Sequence, residues 1–310
     1  MLSPLYTSGA SAIPTENGWH LEIPAGEAGS YRLAQLDDYA ALPRSRFPLR
    51  TPSTLSLRCR VSESALTTST RFRQAQPVSS MQRPAPSLLG LGELPGTWGF
   101  GFWNDPFALS LGLQGSARRL PVLPNACWFF HASAENYLSF RSEPEVRRTG
   151  RGETTGFAEK GPALAANPSN QLRLTTLPGN GFLAQTFRSP KIPSLLLAPG
   201  ILGLPLLFSK TMSKWLRAVV GKMIGEDSLL LDIDVTQWHA YSLSWRESGV
   251  VFSVDDTVVF ETPVSPRGPL GVVIWIDNQY AAWTPEGRIG FGTLQQKSAG
   301  WMEIEQLEIS

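Results

Sequence analysis

The sequence predicts an all-β protein, an antiparallel β-sandwich interrupted by one helix. Its 310 residues include 28 glycines, 25 prolines and 10 tryptophans, and only 17% are charged. This composition favours many turns and aromatic strands over long helices. Short apolar segments also recur roughly every dozen residues with turn signals between them, the pattern of a sandwich. We therefore expect one sandwich domain over residues 1–310.

The strand prediction comes from segments in which apolar residues occupy every second position. In TLSLRCRVS (54–62) they alternate with serine and arginine, so one face is buried and the other solvated. Further strands are predicted at 98–105, 125–133, 229–235, 238–245, 271–276, 288–294 and 301–310. The segment 249–261 predicts a hairpin that turns at Asp255-Asp256. The polar segments 62–97 and 142–170 are predicted to be loops.

One region departs from the strand pattern. Residues 192–208 (IPSLLLAPGILGLPLLF) are apolar, but their prolines forbid one continuous helix. Residues 209–224 predict an amphipathic helix with Ser209 as N-cap and Gly225 just past its end. Its apolar residues are Met212, Trp215, Leu216, Val219, Val220 and Met223, with Lys210, Lys214 and Arg217 on the opposite face. We expect the insertion 192–226 to be a lid or cover, its helix packed on the sandwich.

The net charge and its distribution along the sequence indicate which kinds of partner the protein binds. The net charge of +1 creates no overall field that would favour nucleic acid. Between Glu159 and Glu226 there is no acidic residue, whereas eight residues are basic. Such a run is typical either of solvated loops or of a face toward an anionic partner. A basic helix with a tryptophan is also typical of a membrane interface, so an anionic membrane surface contacted by 209–224 is an alternative partner.

Three features favour a cytoplasmic location. Cys59 and Cys127 are too few for a disulfide framework, and we expect two free, buried thiols. The N-terminus lacks the basic start and apolar core of a signal peptide. No apolar run is long enough to predict a transmembrane helix. We therefore expect a cytoplasmic protein, with peripheral membrane attachment as the alternative.

The segment WHAYSLSWRESGVVFSVDD (238–256) carries a family resemblance. A strand of the form aromatic-His-x-Tyr-x-x-x-Trp precedes a hairpin ending in Phe-x-Val-Asp; the matching residues are Trp238, His239, Tyr241, Trp245, Phe252, Val254 and Asp255. This resembles the concanavalin A-like lectin/glucanase superfamily, above all family 16 glycoside hydrolases and laminin-G-like domains. TLSLRCR, GTWGFGFWN and the closing strand are similar to other strands of the family. The resemblance implies a concanavalin A-like jelly roll with a ligand cleft.

The stretch GTWGFGFWNDPF (96–107) supplies the principal site candidates. As a strand it turns Trp98, Phe100 and Phe102 toward the core, and Gly99, Gly101, Trp103 and Asp105 the other way. Glycine inside a strand often marks close approach by another group. The resemblance implies that this second face looks into a cleft where tryptophans stack on sugar rings. We expect these four residues to bind ligand; packing of loops or the helix on the glycines is the alternative.

The catalytic signature of family 16 is missing from the corresponding strand. Those hydrolases carry Glu-x-Asp-x-(x)-Glu there, and their mechanism needs one carboxylate as nucleophile and another as acid/base. In NACWFFHAS (125–133) the equivalent positions hold Ala126, Trp128 and Phe130. Glycosidase activity of the family 16 type is therefore not predicted.

Other polar residues are weaker candidates for the ligand site, namely His131, Asp277, Asn278 and Gln279. His131 shares a strand face with Cys127, and a lone histidine is also commonly structural. The WIDNQY cluster lines the cleft by resemblance, or forms an Asx turn at a strand end. The adjacent Asp37 and Asp38 lack a glycine-rich calcium loop, so no metal is predicted. No cofactor motif is present either.

Three functional hypotheses follow. The first is a non-hydrolytic, lectin-like protein that binds a carbohydrate or an apolar ring-bearing ligand in the cleft. The second is an enzyme of unknown reaction that acts on a hydrophobic or glycan substrate under the helical lid. The third is a peripheral membrane-associated protein.

Overall fold

A computed structural model describes residues 2–62, 94–106, 119–140, 179–192 and 209–310. The predicted loops 62–97 and 142–170 fall largely outside these residues, and the apolar segment 193–208 falls wholly outside them.

The chain forms its strands in the following order. The N-terminal strands are β1 (Ser3–Thr7), β2 (Ser11–Pro14), β3 (Gly18–Ile23), β4 (Leu33–Asp37) and β5 (Ser53–Val61), with a 3-10 helix at Arg44–Arg46. The middle elements are β6 (Thr97–Trp103), β7 (Ala126–Ala132), β8 (Gly181–Arg188), the helix α1 (Lys210–Met223) and β9 (Gly225–Leu230). The last strands are β10 (His239–Arg246), β11 (Gly249–Val254), β12 (Thr257–Thr262), β13 (Gly271–Asp277), β14 (Gln279–Trp283), β15 (Ile289–Thr293) and β16 (Gly300–Ile309).

Two seven-stranded sheets form a sandwich. The front sheet has the order β1-β4-β13-β6-β7-β8-β9 and the back sheet the order β12-β11-β10-β5-β16-β3-β2, while β14 and β15 form a separate hairpin. Neighbouring strands in both sheets are antiparallel. Sequence neighbours such as β5 and β6 lie in different sheets, so the chain crosses repeatedly between the layers. The predicted all-β antiparallel sandwich with an inserted helix is confirmed.

The core lies between the inner faces of the two sheets. Buried and partly exposed residues alternate strictly along β5, as its sequence pattern predicts. From the front sheet, Phe100 and Phe102 meet Tyr241 and Trp245 of the back sheet, with ring centroids 5.1 and 5.9 Å apart respectively. Full burial of each such ring stabilises the fold by about 1.5–3 kcal/mol. Both cysteines are free and buried in this core, as predicted.

Turns at aspartate residues end two of the predicted strands. Asp255 and Asp256 have φ angles of 48° and 61°, which gives the predicted two-residue turn between β11 and β12. The predicted strand 229–235 is wrong in part, because β9 ends at Leu230. The Asp234 carboxylate accepts hydrogen bonds from the backbone N–H and hydroxyl of Thr236, and this Asx turn replaces strand pairing.

The helix α1 forms at the predicted place, but it is turned the other way round. Ser213 and Arg217 are buried, whereas the large apolar side chains face outward: Met212 is 42% exposed, Trp215 60%, Val219 36% and Met223 39%. The helix therefore contacts the sandwich through Ser213, Arg217 and Val220 and not through its whole apolar face, while the lid or cover over 192–226 stays a prediction. Within the described ranges, no helix is both long and apolar enough to cross a membrane.

Polar partners explain this orientation of α1. The guanidinium of Arg217 donates to the carbonyl oxygens of Trp283 (2.8 Å) and Ser139 (2.6 Å). The hydroxyl of Ser213 accepts the indole N–H of Trp283 at 3.0 Å. Buried carbonyl and indole groups are costly without partners, so these contacts hold the polar side of the helix inward.

Candidate functional site

Four aromatic side chains form one surface on the front sheet. They lie on its outer face, the face turned away from the back sheet, and we call them the ring cluster: Trp103, Trp128, Phe130 and Trp275. Trp103 and Trp275 stack at a centroid distance of 6.1 Å and an interplanar angle of 7°, and Trp128 lies 5.8 Å from Trp275. Phe130 stacks on Trp275 at 5.7 Å. These distances are typical of aromatic pairs that stabilise one another beyond their buried area.

Gly99 and Gly101 lie beneath the ring cluster. A Cβ at Gly99 would lie 2.5 Å from the carbonyl oxygen of Phe129 and 3.0 Å from the Trp275 ring. A Cβ at Gly101 would overlap the backbone of Cys127 and Trp128. The glycines therefore make room for the neighbouring strands and their rings, so protein groups account for the close approach that these glycines indicate.

The ring cluster is partly covered. Trp128, Phe130 and Trp275 are buried, whereas Trp103 is only partly buried. The same apolar cluster includes residues from the end of α1 and from three connecting segments: Val220, Ile224, Leu42, Phe47, Leu123, Leu138 and Phe140. Of the four rings, Trp103 is thus the least buried.

Hydrogen-bonding side chains border the ring cluster on β4. Gln35 lies opposite Trp275 in the register of β4 and β13. Its amide donates to the Asp37 carboxylate at 2.8 Å. The other oxygen of Asp37 accepts the backbone N–H groups of Tyr39 (3.1 Å) and Ala40 (2.7 Å). Asp37 therefore caps a turn.

A second polar chain borders the cluster on β8 and β9. The indole N–H of Trp128 donates to the Gln185 side-chain oxygen at 3.2 Å. The Gln185 amide in turn donates to the Glu226 carboxylate, also at 3.2 Å. The other oxygen of Glu226 accepts the backbone N–H of Phe140 at 2.7 Å. The buried aromatic rings are thus flanked by buried amide and carboxylate groups on both sides.

Asp277 occupies the far end of β13 on the same outer face. Its carboxylate accepts hydrogen bonds from the hydroxyls of Thr97 (2.8 Å) and Tyr31 (3.3 Å) and from the backbone N–H of Gln279 (3.2 Å). Burial disfavours the charged form and raises the pKa of Asp277 to about 7, although these donors oppose the shift. Thr97 also accepts the indole N–H of Trp275 at 2.9 Å, which links Asp277 to the ring cluster.

The neighbours of Asp277 have structural environments. Asn278 is fully buried; its oxygen accepts the backbone N–H of Arg32, and its amide donates to the carbonyls of Ser30 and Leu294. Gln279 is exposed at the start of β14. Asn278 thus fastens three backbone segments, while the side chain of Gln279 faces solvent.

Asp105 is held in a buried ion pair. Its carboxylate accepts from the Arg119 guanidinium at 2.6 Å, with both side chains almost fully buried. Arg119 also donates to the carbonyls of Tyr39, Ala40 and Leu42. Burial raises the pKa of Asp105, and Arg119 counteracts that rise. The pair connects the end of β6 to the segment after β4.

His131 lies on the inner face of the front sheet, opposite to Trp103. Its ring stacks on Trp98 at 5.4 Å in the sandwich core. Burial lowers the pKa of His131 to about 3, so the ring is neutral at physiological pH. His131, a candidate for the ligand site, therefore lies in the core and not on the face that carries Trp103.

The structure brings only some of the predicted site residues together. Gly99, Gly101 and Trp103 share the outer face with Asp277, but Asp277 pairs with Thr97 at the opposite end of β6, about 20 Å from Trp103 along the strand. Sequence reasoning missed Trp128 and Trp275 as companions of Trp103. Trp275 could have been found, because it precedes Asp277 by two residues and must share its face.

Of the two strands beside β6, β7 carries no carboxylate on the outer face. Register places β7 beside β6, and its outward positions are Ala126, Trp128, Phe130 and Ala132. Asp37 and Asp277 lie on neighbouring strands but four register positions apart, about 13 Å. A retaining glycosidase needs carboxyl groups about 5–5.5 Å apart. In the described part of the chain, no group of three or more His, Cys, Asp or Glu side chains is arranged to hold a metal ion.

Comparisons with known proteins give structural likeness only. No family model matches the sequence, and no curated protein matches it either. The Bacteroides ovatus mixed-linkage glucan GH16 protein, in complex with its product, aligns at TM-score 0.39 and 8% identity, over 100% of this chain and 94% of that one. The Emp46p carbohydrate recognition domain aligns at TM-score 0.36 and 8% identity, over 99% of this chain and 87% of that domain's chain.

A third solved structure is a β-1,3-glucanase from Mycobacterium marinum, at TM-score 0.35 and 10% identity, covering 94% of this chain and 74% of that one. At these identities and TM-scores the alignments carry nothing about ligand or activity.

Proposed function

We propose that the chain is a non-hydrolytic binding protein whose outer face, at Trp103, takes a carbohydrate or another ring-bearing ligand. The observation that carries the proposal is the ring cluster bordered by hydrogen-bonding side chains. A saccharide ring presents one C–H face that packs on an indole and hydroxyls that pair with amides and carboxylates. A few placed polar groups around an aromatic wall are the usual composition of such sites.

Tyr39 lies between the least buried ring, Trp103, and the polar side chains of β4. Trp103 packs edge-on against Tyr39 at 6.0 Å, and the Gln35 amide reaches the Tyr39 hydroxyl at 3.5 Å. Stacking on Trp275 keeps the Trp103 ring in place before a ligand arrives. Such preorganisation reduces the ordering cost of binding.

Binding to a panel of neutral oligosaccharides and p-nitrophenyl glycosides tests this proposal. We expect Trp103→Ala to remove binding and Trp103→Phe to retain part of it, since a smaller ring still stacks. Trp238→Ala is the matched control, because Trp238 is a partly buried tryptophan that packs on Arg58 and Arg60 of the back sheet. Absence of binding to every member of the panel overturns the proposal. So does equal loss in the Trp103 and Trp238 variants.

A second candidate function, attachment to an anionic membrane surface, is favoured by the outward apolar face of α1. Met212, Trp215, Val219 and Met223 form one stripe at spacings of three and four residues. Lys210, Lys214 and Lys222 are exposed on the same helix, and α1 contains no acidic residue. An apolar stripe with tryptophan beside lysines is the composition of helices that lie in a bilayer interface.

Co-sedimentation with vesicles tests this second candidate. Phosphatidylglycerol vesicles should bind the protein, and phosphatidylcholine vesicles should bind it less. Trp215→Ser should weaken binding, and Lys214→Gln should weaken it by about 1 kcal/mol, as expected for one cation at an anionic surface. Tyr6→Ser is the control, since Tyr6 is 54% exposed on β1. Equal binding of the wild type and Trp215→Ser excludes this role for α1.

A further inference from the structure

A cavity of about 530 Å³ opens at one end of the sandwich, apart from the ring cluster. Its lining comes from the segment before β5, the end of β8, the turn after β10 and the segment before β13; the polar members are Arg50, Thr51, Arg188, Glu247, Ser265 and Arg267. The inner wall is the buried indole of Trp245. Neither the lectin-like role nor membrane attachment requires this cavity.

The charges around the cavity are not balanced. Three guanidinium groups and one carboxylate leave a formal charge of +2. Among the residues that the structure describes, neither Arg188 nor Arg267 takes part in an ion pair. One nitrogen of Arg50 donates to the carbonyls of Phe47 (2.6 Å) and Leu49 (2.9 Å), which holds that guanidinium near the cavity. Cations that line one cavity repel one another, so an anion that enters it gains from all three.

From this arrangement we infer that the cavity binds a phosphate or sulfate group carried on a small molecule or a lipid headgroup. A dianionic oxyanion matches the charge of +2, and guanidinium groups bind such oxygens through paired N–H donors. The volume lies within the range of small-molecule sites and exceeds what a bare oxyanion needs.

Two sources of the oxyanion are compatible with the position of the cavity. Arg188 pairs with Gly225, two residues after the end of α1. When α1 lies on a membrane, a lipid phosphate at that membrane surface would therefore be close to Arg188. A soluble phosphorylated or sulfated compound would reach the cavity directly from solvent, since Arg50, Arg188 and Arg267 are all exposed.

Titration calorimetry with inorganic phosphate, inorganic sulfate and glucose 6-phosphate, at constant ionic strength, tests the inference for soluble ligands. We expect saturable binding that weakens at least tenfold in the double variant Arg188→Gln/Arg267→Gln. Arg46→Gln is the matched control, because Arg46 is an exposed arginine of the 3-10 helix outside the cavity. Thermal unfolding of each variant without ligand verifies that it is folded.

Vesicles containing phosphatidic acid provide the second arm. If soluble oxyanions do not bind, but vesicle binding falls in the arginine double variant and not in Arg46→Gln, the headgroup is the source. Vesicle binding that depends on Trp215 alone supports membrane attachment and overturns the cavity proposal. No binding in either arm, or equal losses in the double variant and in Arg46→Gln, also overturns it.

Discussion

Trp215 is 60% exposed, whereas Arg217, two residues further along the same helix, is 1% exposed. The more apolar side chain thus faces solvent and the more polar one the protein. Replacement of Arg217 by leucine leaves two carbonyls without their donors, so we expect a loss of roughly 2–3 kcal/mol of unfolding free energy. Trp215→Ser should change it by no more than about 0.5 kcal/mol. Urea unfolding measures both, and a larger loss for Trp215→Ser contradicts the orientation of α1.

The buried Asp105–Arg119 pair should be far more sensitive than the surface pairs. Arg119→Ala leaves a buried carboxylate uncompensated, and we expect a loss of about 3–5 kcal/mol. Arg58 and Glu305 form a partly exposed pair at 3.3 Å, and Glu305→Ala should cost no more than about 1 kcal/mol. Chemical denaturation of the two variants under identical conditions tests the difference. Similar losses would mean that Asp105 is solvated.

Asp277 should make stability depend on pH. Its pKa of about 7 in the fold lies above the value near 3.9 of an unfolded chain, so the folded state binds the proton more tightly. Each unit of this pKa difference adds about 1.4 kcal/mol to the free energy of unfolding. The stabilisation is fully present below about pH 4 and is lost as the pH rises through 7.

Asp277→Asn keeps the shape and removes this titration. We therefore expect its melting temperature to fall less than that of the wild type between pH 5 and 8. Asp38, whose pKa burial raises to about 6, contributes in the same direction in both proteins and cancels in the comparison. Parallel melting curves for the two proteins would contradict the raised pKa.

Gly101 should tolerate no side chain. Gly101→Ala would place a methyl group into the backbone of β7, and we expect a loss of more than about 2 kcal/mol, since β7 is a central strand that cannot move aside. Gly225→Ala serves as the control, because a Cβ at Gly225 would lie 3.5 Å from its nearest neighbour, the carbonyl oxygen of Arg188. Gly29 is unsuitable, since its positive φ strains any side chain. Thermal melting of the two variants measures the difference.

The absence of carboxylates on the outer face of β7 leads to a prediction about activity. Incubation with laminarin or lichenan should release no reducing sugar above background, because the described strands that flank β6 carry no nucleophile and acid/base pair. Sustained release that disappears in Asp37→Asn or Glu226→Gln would show that other carboxylates perform the chemistry.

The sequence predicts the sandwich because most strands have one buried face, which the alternation in β5 and β10 reveals. It does not reveal β8, because both faces of that strand are buried and the buried Gln185 and Thr186 interrupt its apolar run. The helix pattern locates α1 and separates its faces, but it does not say which face packs inward, because Arg217 finds its carbonyl partners only in the folded chain. Strand alternation also places Trp103 on the outer face. The Arg119 partner of Asp105 could not be predicted, because the two side chains meet only in the folded chain.

The ring cluster has an optical consequence. Three indoles whose centroids lie 5.8–6.1 Å apart are close enough for their electronic transitions to couple. Coupled chromophores held in a fixed, chiral arrangement give a circular dichroism signal in the near ultraviolet that isolated tryptophans lack. Any molecule that settles on Trp103, or any change that tilts Trp275, would alter that signal, so the protein contains its own spectroscopic reporter of events on this face.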